Sequence, residues 1–260
     1  PGIRDMAMTF AHVDPIKEPI PVFPTAHYTM GGIPTNRHGQ VVMPLEKSAE
    51  EAIPGLYAVG ECACVSVHGA NRLGGNSLLD IVVFGRAAGN HIIDYLKENR
   101  THRPMNESSV EAALARLERW DKNDEGESID ALRQELQRVM EEYCSVFRTE
   151  EVLVDGVKKV KSLVARMDNA RLRDHSKVFN TARIEALELE NLMILGLATV
   201  ESALARKESR GAHSRIDYPD RDDEHWMKHS LYFDDGRVEY KPVRTKPLSV
   251  KSFPPRPRVY

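Results

Sequence analysis

The chain is predicted to be an α/β portion that leads into an α-helical bundle and closes with a small C-terminal α+β domain. Three observations carry this. The short apolar run Pro54-Gly55-Leu56-Tyr57-Ala58-Val59-Gly60-Glu61 has the length and glycine ending of a strand, and a glycine-rich turn then leads to a helical pattern from Asn76 to about Asn99. Between Ser108 and Lys207, apolar residues recur at helical spacing in four stretches. Beyond Lys207 comes dense alternating charge, then two β-prone runs around Asp234-Asp235-Gly236.

Composition sets outer bounds. With 260 residues, 41% hydrophobic and 29% charged, there is apolar material for one or two cores. A formal net charge of −3 gives no electrostatic footprint for nucleic acid or a lipid surface. No apolar run approaches the ~20 residues of a membrane span, and no targeting segment is visible. Three cysteines, Cys62, Cys64 and Cys144, are too few and too unevenly placed for a disulfide framework. Cys62 and Cys64 are read as small packing residues, because no His/Cys cluster completes a metal site around them.

The first element is an extended segment, Pro24-Thr25-Ala26-His27-Tyr28-Thr29-Met30-Gly31-Gly32-Ile33, which places a histidine before two glycines able to turn the chain sharply. The run ending at Glu61 is expected to be a buried strand. Its carboxylate stands where α/β sheets bind ligand hydroxyls, beyond a strand's C-terminus. Then comes His68-Gly69-Ala70-Asn71-Arg72-Leu73-Gly74-Gly75-Asn76-Ser77-Leu78-Leu79-Asp80, an arginine in a glycine-rich turn that opens a helix. A guanidinium there can hold a carboxylate through two parallel hydrogen bonds, and the free N–H groups of a helix start add positive potential. A nucleotide P-loop is rejected, since Gly69 and Gly74 are followed by Gly75 and Asn76 where Lys and Ser/Thr are required.

In the helix from Asn76, residues Leu79, Val82, Val83, Ala87 and Ile92 keep helical spacing, and Gly85 and Gly89 permit close approach to a sheet, so the helix is expected to be buried. Thr101 to Asn106 is a polar, proline-containing break. Ser108-Ser109-Val110-Glu111 has capping-box form ahead of Leu114, Leu117 and Trp120. Ile129, Leu132, Leu136, Val139, Tyr143 and Phe147 stripe the second helix, and Val157, Val160, Val164 and Met167 the third. The fourth, about Thr181 to Lys207, is apolar around much of its circumference and is expected to be central, with turns at Asp124-Glu125-Gly126 and around Arg148-Thr149. The charged stretch from Ser209 to Trp226 is read as an ion-paired loop docking the tail, in preference to an anion site. Leu231-Tyr232-Phe233 and Val238-Glu239-Tyr240 read as a hairpin before a proline-rich end.

The segments around His27, Glu61 and Arg72, in this order and spacing, closely resemble the succinate dehydrogenase flavoproteins, a family that also holds fumarate reductase and L-aspartate oxidase. The resemblance covers the whole chain. Arg72-Leu73-Gly74-Gly75-Asn76-Ser77 is similar to the dehydrogenase form in particular, while the other two activities stand as alternatives. The resemblance implies an FAD-binding α/β domain, with residues 1–24 ending a capping domain, 25–103 the C-terminal part of the FAD-binding domain, 104–207 the helical bundle and 208–260 the C-terminal domain.

It also implies roles. His27 and Arg72 match binders of the substrate carboxylates, Glu61 the acid that holds a flavin-side hydroxyl, and Ser77 and Leu78 the residues whose backbone N–H groups face the flavin N1/O2 edge. Succinate would be oxidised to fumarate with FAD as electron acceptor. Electrons would pass through an iron–sulfur subunit, with membrane-anchor subunits holding the complex on the cytoplasmic face of a bacterial inner membrane or on the mitochondrial matrix side. The family's Gly-x-Gly-x-x-Gly fold, flavin-attachment histidine and proton-accepting arginine have no counterpart in these 260 residues. The chain is therefore expected to be a C-terminal portion that does not hold FAD alone, and a non-catalytic, partner-docking role for it as isolated stands beside the enzyme reading. His68 remains possible as a site residue because it lies close to Arg72 in sequence.

Overall fold

The computed structural model describes residues 2–22, 26–45, 48–121 and 125–256. Pro24 and Thr25 of the expected extended segment, Asp124 of one expected turn, and positions 257–260 of the tail lie outside the described residues.

The α/β portion is thin. A short helix α1 (Gly2–Met6) runs into a π-helical turn, Ala7–Ala11. The chain from Ala26 to Met30 is irregular, not a strand. Two residues, β1 (Ile33–Pro34), then pair in parallel with β4 (Ala63–Cys64). Gly32, at φ +118, lets β1 come this close, because a Cβ there would lie 2.6 Å from the Cys62 carbonyl oxygen. Between them, β2 (Gln40–Leu45) and β3 (Ser48–Tyr57) form an antiparallel hairpin. The expected strand after Pro54 is thus the end of β3, and it is not buried on both faces: Ala58 and Gly60 are buried, whereas Leu56 and Val59 are exposed. Among the described residues Val41, Ala58 and Ala63, with Ile53 beside them, form a small core here.

Helix α2 (Asn76–Glu98) has the predicted bounds but not the predicted burial. Its buried residues are Asp80 and Ala88; Leu78 and Val82 are each 67% exposed, and Leu79, Ile81, Val83 and Ile93 are exposed too. Gly85 and Gly89 have open space where a Cβ would stand, so no sheet packs on them. The apolar periodicity was a correct sign of a helix that has something to cover, but the small hairpin core reaches only its Ala88 side.

The bundle is the main core. Helix α3 (Glu107–Glu118) is capped by Asn106, whose side chain accepts the Ser108 N–H at 3.1 Å, so the Ser108–Glu111 capping box is displaced by an earlier cap. Helices α4 (Ile129–Tyr143), α5 (Glu150–Arg166) and α6 (Thr181–Ala205) follow. Thr149 and Asn180 cap α5 and α6 through the N–H groups of Val152 and Arg183. The two-residue strands β5 (Glu127–Ser128) and β6 (Ala170–Arg171) pair in parallel at one end. Trp120, Leu132, Leu153, Val160, Leu189 and Val200 are fully buried where α4, α5 and α6 meet. Phe147 lies beyond α4 and is exposed. Helix α6 buries one face through Ala186, Leu189, Met193 and Val200, while Ile184, Ile194 and Leu195 on its remaining surface are exposed. It packs on both α4 and α5 but is not enclosed.

The C-terminal part ends in the predicted hairpin, β7 (Lys228–Tyr232) with β8 (Val238–Pro242), in register from Lys228↔Pro242 to Tyr232↔Val238. The charged stretch before it is an ion-paired loop. The fully buried Glu208 carboxylate bonds Arg206 at 2.6 Å and Arg210 at 2.8 Å. The equally buried Arg215 grips Asp217 with two bonds of 2.8 and 2.7 Å, and reaches the Ala203 and Leu204 carbonyls at the end of α6. Helix ends leave such carbonyls without partners, and a guanidinium supplies several donors at once. Arg148 ties the loop to the bundle: its N–H donates to the Ser214 carbonyl, and its own carbonyl accepts from Ile216.

Candidate functional site

The predicted site residues come from two loops and one helix start. Gly60, at φ +78, turns the chain out of the β3 run and leaves Glu61 exposed at its end. The Glu61 carboxylate accepts the Thr29 backbone N–H at 2.9 Å. That bond fastens the His27-to-Met30 segment beside the turn, a link of 32 positions along the chain. His27 is exposed on the same segment.

Tyr28, next to His27, is the hinge of the arrangement. The Arg72 guanidinium lies over its ring, 4.6 Å from the centroid. His68 meets the same ring edge-on, with centroids 5.8 Å apart and planes at 81°. His68 is in turn fixed by Asp80 of α2, Nε2 to Oδ2 at 2.8 Å, with the two side chains 12% and 3% exposed. The structure therefore brings His68 to Arg72 through Tyr28, and adds Tyr28 and Asp80, which sequence reasoning did not single out. The only sequence signal for Asp80 is a lone carboxylate among Leu78, Leu79, Ile81 and Val82.

Among the described residues Arg72 makes one hydrogen bond, Nη1 to the Leu73 carbonyl at 3.2 Å, and its buried Nε has no partner. Among the described residues no carboxylate pairs with it. Arg133, Arg171 and Arg183 also leave a buried Nε open, so it is the combination at Arg72, an open fork with no carboxylate beside it in a glycine-rich turn at a helix start, that suits an external acceptor. His68 Nδ1 and Ser77 Oγ are likewise buried and open.

The start of α2 has the form of an anion-receptive end. Its N-cap is Gly75 at φ +81, which supplies no side-chain cap. Asn76 and Leu78 donate their backbone N–H groups to Leu73 and Gly75, each at 3.1 Å. The Ser77 N–H finds no backbone acceptor among the described residues, so of the predicted pair Ser77 and Leu78 it is the open one. The C-terminal loop reaches this region: Gly211, at φ +60, sits against the Ala70 backbone, and the Ala212 N–H donates to the Ala70 carbonyl at 3.0 Å. Cys62 is exposed, Cys64 half-buried and Cys144 buried, all with free thiols, and no cluster of metal-ligating side chains occurs among the described residues.

Comparison with known proteins identifies the relatives of the chain. The family model described as "Fumarate reductase flavoprotein C-term" matches residues 133–260, and that described as "FAD binding domain" matches residues 1–78. The succinate dehydrogenase flavoprotein subunit of Coxiella burnetii is 53% identical over 258 residues, 99% of this chain and 44% of that protein. The corresponding subunit of Rickettsia bellii is 48% identical over 266 residues, 100% of this chain and 45% of its own. The fumarate reductase flavoprotein subunit of Escherichia coli is 42% identical over 270 residues, 100% and 42% of the two. The chain thus spans less than half the length of the curated relatives it matches. Among solved structures, a quinol-fumarate reductase with menaquinol molecules superposes with a TM-score of 0.78 at 41% identity, covering 95% of this chain and 42% of that one. The Mycobacterium smegmatis Sdh1 complex in the apo form gives 0.78 at 30% identity, covering 95% and 41%. The fold is accordingly that of an FAD-binding flavoprotein with a helical domain, and the chain belongs to the succinate dehydrogenase/fumarate reductase flavoprotein family.

Proposed function

We propose that this chain is the C-terminal part of a succinate dehydrogenase flavoprotein subunit and carries half of its dicarboxylate site. The observation that carries the reading is Arg72, a guanidinium in a glycine-rich turn with no resident carboxylate among the described residues and a buried, open Nε. Such a group holds a carboxylate by charge and by planar fit together. His27, exposed on the neighbouring loop, would donate to the other end of succinate. Glu61 would accept a flavin-side hydroxyl, and its bond to Thr29 keeps the His27 loop in place beside it. At the start of α2, the Ser77 N–H, with Leu78 following, would face the flavin N1/O2 edge, where the helix dipole favours negative charge. FAD, when bound, supplies the electron acceptor.

The dehydrogenase direction, over fumarate reductase or aspartate oxidase, is supported by Gly74-Gly75 and by the higher identity to the Coxiella burnetii and Rickettsia bellii dehydrogenase subunits than to the Escherichia coli fumarate reductase subunit. The division at residues 24, 103 and 207 is proposed with it, since α2 ends at Glu98, α3 begins at Glu107 and α6 ends at Ala205. The full subunit would pass electrons to an iron–sulfur subunit and sit peripherally on membrane-anchor subunits, on the cytoplasmic or matrix side. No helix among the described residues is long and apolar enough to cross a membrane. The alternative reading is that this chain, as isolated, serves in assembly, its helical bundle docking a partner subunit.

Arg72→Lys in the full-length subunit tests the reading. It keeps the charge and loses the fork, so succinate oxidation should fall by about a hundredfold or more while FAD stays bound. Near-parental turnover would remove Arg72 from the site.

A further inference from the structure

We propose that Tyr28 is a positioning residue: a platform, held by the Asp80–His68 pair, that sets the Arg72 guanidinium for carboxylate capture. The proposal rests on the reading of Arg72 as the carboxylate clamp and adds how that clamp is aimed. Arg72 belongs to a loop rich in glycine, with Gly69, Gly74 and Gly75 around it, so its own backbone gives it little rigidity. One bond to the neighbouring Leu73 carbonyl does not fix a long side chain. The contact that does is the Tyr28 ring at 4.6 Å.

A π face suits this task better than a carboxylate would. It attracts and orients a cation without neutralising it or occupying its N–H donors. A resident Asp or Glu would satisfy the fork and compete with the incoming substrate. Arg72 accordingly has no acidic partner among the described residues, and its Nε remains open.

The platform itself is braced from a rigid element. Asp80 lies in the early part of α2 with its side chain nearly excluded from water, and its bond to His68 Nε2 settles which ring nitrogen faces the helix. The His68 ring, so held, abuts Tyr28 at 81°, the edge-to-face geometry aromatic pairs prefer. Placement therefore runs from helix to carboxylate, imidazole, phenol ring and guanidinium. Without the column, the substrate would have to order Arg72 itself, and affinity would fall by that entropy.

The test uses the full-length, FAD-loaded subunit and reads the malonate dissociation constant together with KM and kcat for succinate. Tyr28→Phe, which keeps the ring face, should bind malonate as the parent does. Tyr28→Leu should raise the malonate Kd and the succinate KM about tenfold while kcat stays within about twofold and FAD content is unchanged. His68→Gln keeps a donor for Asp80 but loses the flat edge, and should show a smaller rise of the same kind. In combination with Arg72→Lys, either change should add almost nothing, because both act through the same guanidinium. If Tyr28→Leu or His68→Gln adds its full effect on top of an impaired Arg72→Lys, or if Tyr28→Phe is as weak as Tyr28→Leu, the platform is wrong and the clamp survives. If Arg72→Lys binds malonate like the parent, clamp and platform fall together. Should Tyr28→Leu fail to fold, the His68→Gln pair with Arg72→Lys decides the matter alone.

Discussion

Gly211→Ala should loosen the C-terminal loop from the region of Arg72, and the structure gives the size of the effect. Gly211 has φ +60, a left-handed conformation that costs an alanine roughly 1–2 kcal/mol. The new Cβ would stand 2.5 Å from the Ala70 carbonyl oxygen and 2.9 Å from the Ala70 Cβ. Reaching an ordinary contact of about 3.5 Å requires one of the two backbones to retreat by about 1 Å. That displacement breaks the 3.0 Å bond from the Ala212 N–H to the Ala70 carbonyl, worth about 1 kcal/mol net. The sum is a loss of about 2–3 kcal/mol at this contact, concentrated there because the rest of the loop is held by Arg148, Glu208 and Arg215. Amide hydrogen exchange is the direct assay: the Ala212 amide should exchange about 30- to 150-fold faster, while amides inside α5 keep their protection. An Ala212 amide with parental protection in Gly211→Ala would show that the loop does not dock on Ala70 as argued.

Two further outcomes follow from the bundle and its attached loop. His213 is held as the neutral imidazole: Arg148 donates to its Nδ1 at 2.8 Å, its Nε2 faces the Arg206 carbonyl at 3.1 Å, and burial, first, then the charges of Arg148, Arg215 and Arg206 depress its pKa. A depressed folded pKa means that stability is complete above the unfolded value of about 6.5 and is lost as pH falls from there toward the folded value, so urea midpoints should drop between pH 7.5 and 5.5, and His213→Gln should flatten that drop. Limited proteolysis should leave a resistant piece from about Glu107 to Pro242 and clip the part before Gly89 early, since the large buried cluster lies wholly between Trp120 and Ala203; prompt cleavage between Ser209 and Trp226 would contradict the ion-paired loop.

The bundle was legible in the sequence because its signals are local. A stripe such as Leu132, Leu136 and Val139 reports a buried helix face whatever lies opposite, and all three are buried. Asp234-Asp235-Gly236 between β-prone runs likewise specifies its own hairpin. Burial of α2 was not legible. The pattern of Leu79, Val82 and Val83 shows that a surface seeks cover, but whether cover exists is a property of other segments, and here the hairpin of β2 and β3 is too small to supply it. The cap of α3 failed for a related reason. Ser108 and Asn106 can both serve, and the choice depends on where the incoming chain is already turning; Asn106, in an extended conformation with its side chain on the Ser108 N–H, starts the helix first.

The site divides in the same way. Arg72 and Glu61 stand out because charge at a glycine-rich helix start or at a strand end has a chemical reason visible in a few residues. Tyr28 and Asp80 do not, since a tyrosine and an aspartate acquire their meaning only from the residues opposite, 44 and 12 positions along the chain in the Arg72 and His68 contacts. The C-terminal loop extends this logic. Burying Glu208 and Arg215 is costly unless every charge is paired in one geometry, so the loop that satisfies them has little freedom. Its fixed edge then meets the Ala70 carbonyl, two residues before Arg72. The ion-paired loop is therefore a brace for the glycine-rich turn. That turn is held by Tyr28 on one side and by a tail more than a hundred residues away on the other.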